Sequence, residues 1–270
     1  MIATLRYEFL MQVRRPVLWI VYGLAFAALV SLLRQGYVVP TPGSGDPDDP
    51  RPAMIAVSET VVALMPAVYG CLLADRLIRD RRLGVAGVLD STPAGHTGRL
   101  IGKYLGVCAA TALPIALIHL GRAVAFAVAE GRPAALGWAL LLLVVKIVPA
   151  LLFVGALALA GPLLVPPLLF RVLFVGYWFW GNLIPANMMP TISHTVFSAN
   201  ARYVEYGLFG DPYAAPGVDA IPYGPQDGAA LNFLRPLTSP AVAVLWIGVM
   251  LAMAAAVLLL ARLHAIRTES

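Results

Sequence analysis

The sequence predicts an all-α integral membrane protein with six transmembrane helices, an N-terminal amphipathic interfacial helix and short re-entrant helices before the sixth span. Three observations carry this. Of 270 residues, 60% are hydrophobic and only 12% charged, with a mean hydropathy of +0.82; a soluble domain carries about 25% charged residues. The apolar residues fall in long runs, as membrane spans do. The basic residues cluster between those runs, so the net charge of +5 reads as cytoplasmic loops and not as a nucleic-acid-binding surface.

Ile2, Leu5, Phe9 and Val13 recur on one helical stripe, and Thr4, Glu8, Gln12 and Arg15 on another, which predicts an interfacial helix over residues 1–15. The first span covers about residues 17–33. It follows Arg14-Arg15 as a signal peptide would, but the chain continues Leu32-Leu33-Arg34-Gln35 with no small-residue cleavage site, so it reads as a retained span. A Pro-, Gly- and Asp-rich stretch, including Pro42-Gly43 and Asp46-Pro47, cannot build a core. The second span is about 54–74, the charged segment 75–99 follows, and the third span is about 100–128. Residues 134–184 are almost continuously apolar and too long for one helix. Gly161-Pro162 and Pro166-Pro167 divide them into spans of about 134–160 and 166–184. A Tyr-, Pro- and Gly-rich extracytoplasmic segment, 185–238, precedes Ser239-Pro240, a good helix start for the sixth span at about 239–261. The chain thus reads as one transmembrane domain over 1–270.

Lys and Arg set the orientation. Arg6, Arg14, Arg15, Arg76, Arg79, Arg81, Arg82, Arg99, Lys103, Arg262 and Arg267 fall on one side, and Arg34, Arg51, Arg132, Arg202 and Arg235 on the other. The richer side is cytoplasmic, so both termini are expected inside. Cys71 and Cys108 both lie in apolar runs and read as packing thiols.

Several side chains stand out. Glu59, His119, Arg122 and Lys146 fall inside predicted spans, where charge is costly and needs a partner or an aqueous path. Glu59 and Arg122 have matching depths and are expected to pair; His119 lies one turn deeper, on Arg122's face. These residues either line a polar substrate path or form a structural ion-pair network. Gly98, Gly102 and Gly106 form a small-residue face at the base of the third span, suited to packing within the subunit or between subunits. The loop over 75–99 carries an apolar stretch, Leu83 to Leu89, flanked by charge, and then Ser91-Thr92-Pro93, a helix-start signal. It suits either a docking surface for another protein or a topology-setting loop.

That loop resembles the one between the second and third spans of ABC type-2 permeases, the group with the type V exporter fold. Asp80, Gly84, Val88-Leu89, Thr92-Pro93 and Gly102-Lys103 follow the family's order, while Val85-Ala86-Gly87 replaces the usual Thr-Leu-Glu. The resemblance implies a permease subunit of an ATP-driven exporter in the bacterial plasma (inner) membrane. It implies that Asp80, Leu83, Gly84, Val88, Leu89, Thr92 and Pro93 couple to a cytoplasmic ABC ATPase dimer. A second permease copy or a paralogue completes the transporter, and ATP and Mg are expected in the ATPase partner only. The apolar interior favours an amphipathic cargo: a drug, peptide or lipid-like molecule.

No nucleotide or catalytic motif is expected in this chain. Around Gly102-Lys103 a phosphate loop fails, because Thr97 stands where its first Gly belongs and Tyr104 where its hydroxyl residue belongs. Zincin and nucleophile-elbow motifs are absent from the sequence, which weighs against an intramembrane enzyme. The alternative function is an ion-gradient-driven secondary carrier, although no pair of related halves with broken helices is visible.

Overall fold

The computed structural model describes residues 1–34, 49–77, 96–200, 202–210 and 223–269. They fold into helices joined by turns, with no strand among them. The chain order is α1 Ile2–Val13, α2 Pro16–Arg34, α3 Arg51–Leu73, α4 His96–Ala129, α5 Ala134–Leu142, α6 Val148–Ala160, α7 Pro167–Trp178, α8 Tyr203–Leu208 and α9 Pro240–Glu269.

Four stretches are long and apolar enough to cross a membrane: Arg51–Leu73, Thr97–Ala129, Ala134–Leu163 and Pro240–His264. The bent pair α1–α2, with a 60° turn at its break, adds a fifth if counted as one span. The protein is therefore a membrane-embedded helical bundle, and the described residues give four to five such spans where the sequence predicts six. The difference lies at both ends of the count. The α1–α2 pair qualifies only as a bent unit, and α7 has 12 residues before a five-residue π turn, Phe179–Leu183. Pro166-Pro167 starts α7 and Pro185 follows its π turn, so prolines bound it on both sides.

Lipid as solvent inverts the usual reading of amphipathicity. In α1 the buried side chains are Glu8 and Gln12, whereas Ile2, Tyr7 and Leu10 are exposed. Gln12 Nε2 donates to Thr111 Oγ1 at 3.2 Å, and Lys103 Nζ lies 3.9 Å from Glu8 Oε1. The polar stripe turns inward onto α4; of the predicted apolar stripe only Ile2 is exposed, and Leu5, Phe9 and Val13 are half-buried. Close approach makes this possible. A Cβ on Gly102 would sit 2.7 Å from the Met1 carbonyl oxygen, and one on Gly106 would sit 2.5 Å from that of Leu5. Gly98 is looser, 4.0 Å from Met1 Cβ. The small-residue face of the third span thus holds α1 of the same chain.

The core joins α2, α3, α6, α7 and α9 through Leu18, Tyr22, Met65, Tyr69, Phe153, Phe174, Trp178 and Trp246. Both buried indoles have partners: Trp178 Nε1 donates to the Ala63 carbonyl at 2.7 Å, and Trp246 Nε1 to that of Ser198 at 2.9 Å. Cys71 and Cys108 are free thiols.

α5 and α6 form one rod through a π turn, Leu143–Ile147. The Val148 N–H reaches back to the Leu143 carbonyl, a five-residue step. Pro149 explains it: its ring would clash with the Val145 carbonyl of a regular α-turn, and it has no N–H to offer.

The segment before α9 differs from the expected short re-entrant helices near 185–201. Residues 185–200 form successive turns; the helix is α8, and Asn232–Leu234 adds one 3-10 turn. This backbone lacks regular pairing, so side chains satisfy it. Arg235, fully buried, donates to the carbonyls of Thr191, Ser193 and Ala230. Asn182 Oδ1 accepts from Ser198 Oγ and the Asn200 N–H. α8 sits tightly on the start of α9: a Cβ on Gly207 would lie 2.6 Å from the Ser239 carbonyl oxygen.

Candidate functional site: a buried charge cluster

The π turn places Lys146 inward, 1% exposed, against α3 and α8. There its ammonium forms an ion pair with Glu205, which is fully buried. Lys146 Nζ also donates to Ser58 Oγ at 3.3 Å, and the Ser58 hydroxyl donates to the Ile55 carbonyl at 2.7 Å. Glu205 Oε1 is 3.4 Å from Ser58 Oγ; its other oxygen, Oε2, is buried with no hydrogen-bond partner among the described residues. One residue along α3, Glu59 Oε1 lies 2.6 Å from Arg202 Nε, just before α8. Two carboxylates and two cations thus meet where α8 seats on α3 and on the π turn, and their formal charges cancel. Burial pushes the Glu205 carboxyl up; the Lys146 charge opposes this and Glu59 adds to it.

His119 stands beside this cluster. Its Nε2 donates to the Ala139 carbonyl at 2.9 Å, so the ring carries a proton there; Nδ1 is buried with no partner among the described residues. The structure brings Glu59, Lys146 and His119 into one region and leaves Arg122 out. Arg122 is exposed on α4, and the expected Glu59–Arg122 pair does not form, because Arg202 occupies Glu59. Matching depth fixes height along a helix but not rotation about it.

Glu205 and Arg202, both missed by the sequence reading, complete the cluster. The available signal was Glu205 itself: an acid within the short run Tyr203-Val204-Glu205-Tyr206.

Next to Glu205 on α8, Tyr206 and, from the preceding turns, His194 stack on Tyr223, while Tyr203 meets Tyr223 edge-on. His194 adopts a left-handed backbone, φ 64°, and its Nδ1 accepts from Gln226 Nε2 at 3.0 Å. Burial, with Arg202 and Arg235 nearby, lowers its imidazole to about 4.

The second sequence-predicted site falls elsewhere. Asp80, Leu83, Gly84, Val88, Leu89, Thr92 and Pro93 lie outside the described residues. Of that motif, Gly102 and Lys103 are described, and both face α1.

The fold and the cluster together define a class: a multi-pass α-helical membrane protein with a neutral ion-pair cluster in its core. No protein-family model, curated protein or solved structure matches the chain.

Proposed function

We propose that this chain is the permease subunit of an ATP-driven exporter of the ABC type-2 class, working with a separate cytoplasmic ATPase dimer and a second permease copy or paralogue. The observation that carries this is the ordered pattern Asp80, Gly84, Val88-Leu89, Thr92-Pro93 and Gly102-Lys103 leading into the long apolar helix α4. In this reading the chain crosses a bacterial plasma membrane six times with both termini inside, α2 and α7 counting as full spans. Leu83 to Asp90 is the surface that docks on the ATPase. ATP and Mg act in that partner, and the cargo is amphipathic.

The clamp between α1 and α4 supports transmission of force. Gly102, Lys103 and Gly106 fasten the N-terminal helix to the first turns of α4, so a push on the loop moves both helices as one body. The ion pairs fasten α8 to α3 and the π turn, which stiffens a second part of the bundle.

The buried Lys146–Glu205 pair favours one rival, an ion-gradient-driven carrier, because intramembrane acids often mark proton relays. A mild-detergent pull-down of the tagged full chain from native membranes separates the two. An ATP-hydrolysing subunit that copurifies with wild type and is lost with Leu89→Asp is the expected result. Its absence from both samples rejects the exporter reading and favours the carrier.

A further inference from the structure

A cavity of about 690 Å³ opens between α2, α3 and α7, at the opposite end of α3 from the charge cluster. Its wall is apolar, built by Val17, Val21, Ala67, Val68, Leu72 and Val175. Its rim is cationic: Arg15, Arg76 and Arg171 stand against one carboxylate, Asp75. Arg171 engages that carboxylate and donates from Nε to the Cys71 carbonyl at 3.1 Å. Asp75 is thereby engaged by Arg171, and Arg15 and Arg76 line the same rim. Arg76 Nε is buried with no hydrogen-bond partner among the described residues, a donor left unsatisfied at the rim.

We propose that this cavity binds a phosphate-bearing amphiphile, an anionic phospholipid or a molecule of the same build. Its phosphodiester meets Arg76 and Arg15, and its acyl chain lies along the valine-lined wall. Two features select this ligand class. Guanidinium pairs with phosphate in a forked geometry that suits Arg better than Lys. An apolar wall directly below a cationic rim matches a headgroup joined to a hydrocarbon tail, and basic pockets between spanning helices recognise anionic headgroups. The volume lies within the range of ordinary small-molecule sites. The ligand is framed by charge and shape alone, so the inference stands whether the chain works as an exporter or a carrier.

The test is lipid retention by the full chain, taken from nanodiscs of mixed phosphatidylcholine and phosphatidylglycerol and read by native mass spectrometry. Wild type is expected to retain phosphatidylglycerol selectively. The double variant Arg15→Gln/Arg76→Gln should lose about thirtyfold in retention. Arg122→Gln, an exposed change on α4, should lose nothing. Arg76→Lys should retain part, which separates charge loss from misfolding. Val21→Trp, which fills the wall and leaves the arginines, should also abolish retention. Equal retention of both lipids by wild type, or undiminished retention by the double variant, overturns the proposal. Displacement of the lipid by inorganic phosphate alone overturns it too, since it assigns the rim to a free anion with no use for the wall.

Discussion

Removing one partner of the Lys146–Glu205 pair should harm the protein more than removing both. The two side chains are 1% and 0% exposed, so each single change leaves a charge, or a group that must be neutralised, away from water. Breaking a buried pair from one side costs about 3–5 kcal/mol, while replacing both partners by apolar residues of similar volume is often neutral or stabilising. Lys146→Met and Glu205→Leu should each lower stability by about 3 kcal/mol or more, over a hundredfold in the folded-to-unfolded ratio. The double variant should recover at least half of either loss. The assay is unfolding in mild-detergent micelles titrated with sodium dodecyl sulfate, followed by circular dichroism. The pH dependence supplies a sign. In Lys146→Met the remaining Glu205 loses the cation that opposes burial, so its carboxyl stays well above the ordinary 4.5. The folded state then binds the proton that the unfolded chain has released. That variant's stability should fall as pH rises above about 4.5, leaving it least damaged in mild acid. Single variants that each lose under about 1 kcal/mol, or a double variant that loses the sum, would refute the argument.

Three further outcomes follow. Gly106→Val forces a Cβ into the Leu5 carbonyl and should lift α1 from α4, raising thiol labelling of a cysteine placed at Gln12 several-fold; unchanged labelling contradicts the clamp. His194 is held at about 4, below its ordinary 6.5, so the unfolded chain binds the extra proton between these values. The contribution of His194 to stability should therefore be lost as pH drops from about 6.5 to 4, against the opposite slope from the raised Glu205 carboxyl, and His194→Asn, which tolerates the left-handed backbone, should make the chain more acid-tolerant than wild type in the same micelle titration. Arg235→Met strands the carbonyls of Thr191, Ser193 and Ala230 and should cost about 2–4 kcal/mol; proteolysis of the segment before α9 should then accelerate.

The helical membrane class was legible because it rests on composition and run length, which tertiary structure does not alter. The break ahead of α7 was legible for a related reason: Gly161-Pro162 and Pro166-Pro167 act locally on the backbone. The stripes of α1 were legible too, but not their direction. Periodicity separates polar from apolar faces, and only the position of α4 shows that Glu8 and Gln12 face protein while Ile2 and Tyr7 face outward. Partner choice was the least legible. Lys146 was visible as a costly charge, but Glu205 and Arg202 come from a segment with no period to reveal where it folds back. Arg122 was wrongly matched to Glu59 because depth alone was compared. The turns over 185–200 were likewise hidden, since Arg235 and Asn182 order them through contacts distant in sequence.

The central claim is that the segment before α4 meets an ATP-hydrolysing partner. The most direct measurement replaces Leu89 with a photo-cross-linking residue in the full chain and irradiates native membranes. The account predicts one adduct, between this chain and an ATPase subunit, that disappears when Gly84 and Val88 are also replaced by charged residues. A stable, membrane-inserted chain that yields no adduct with any ATP-binding protein would contradict it.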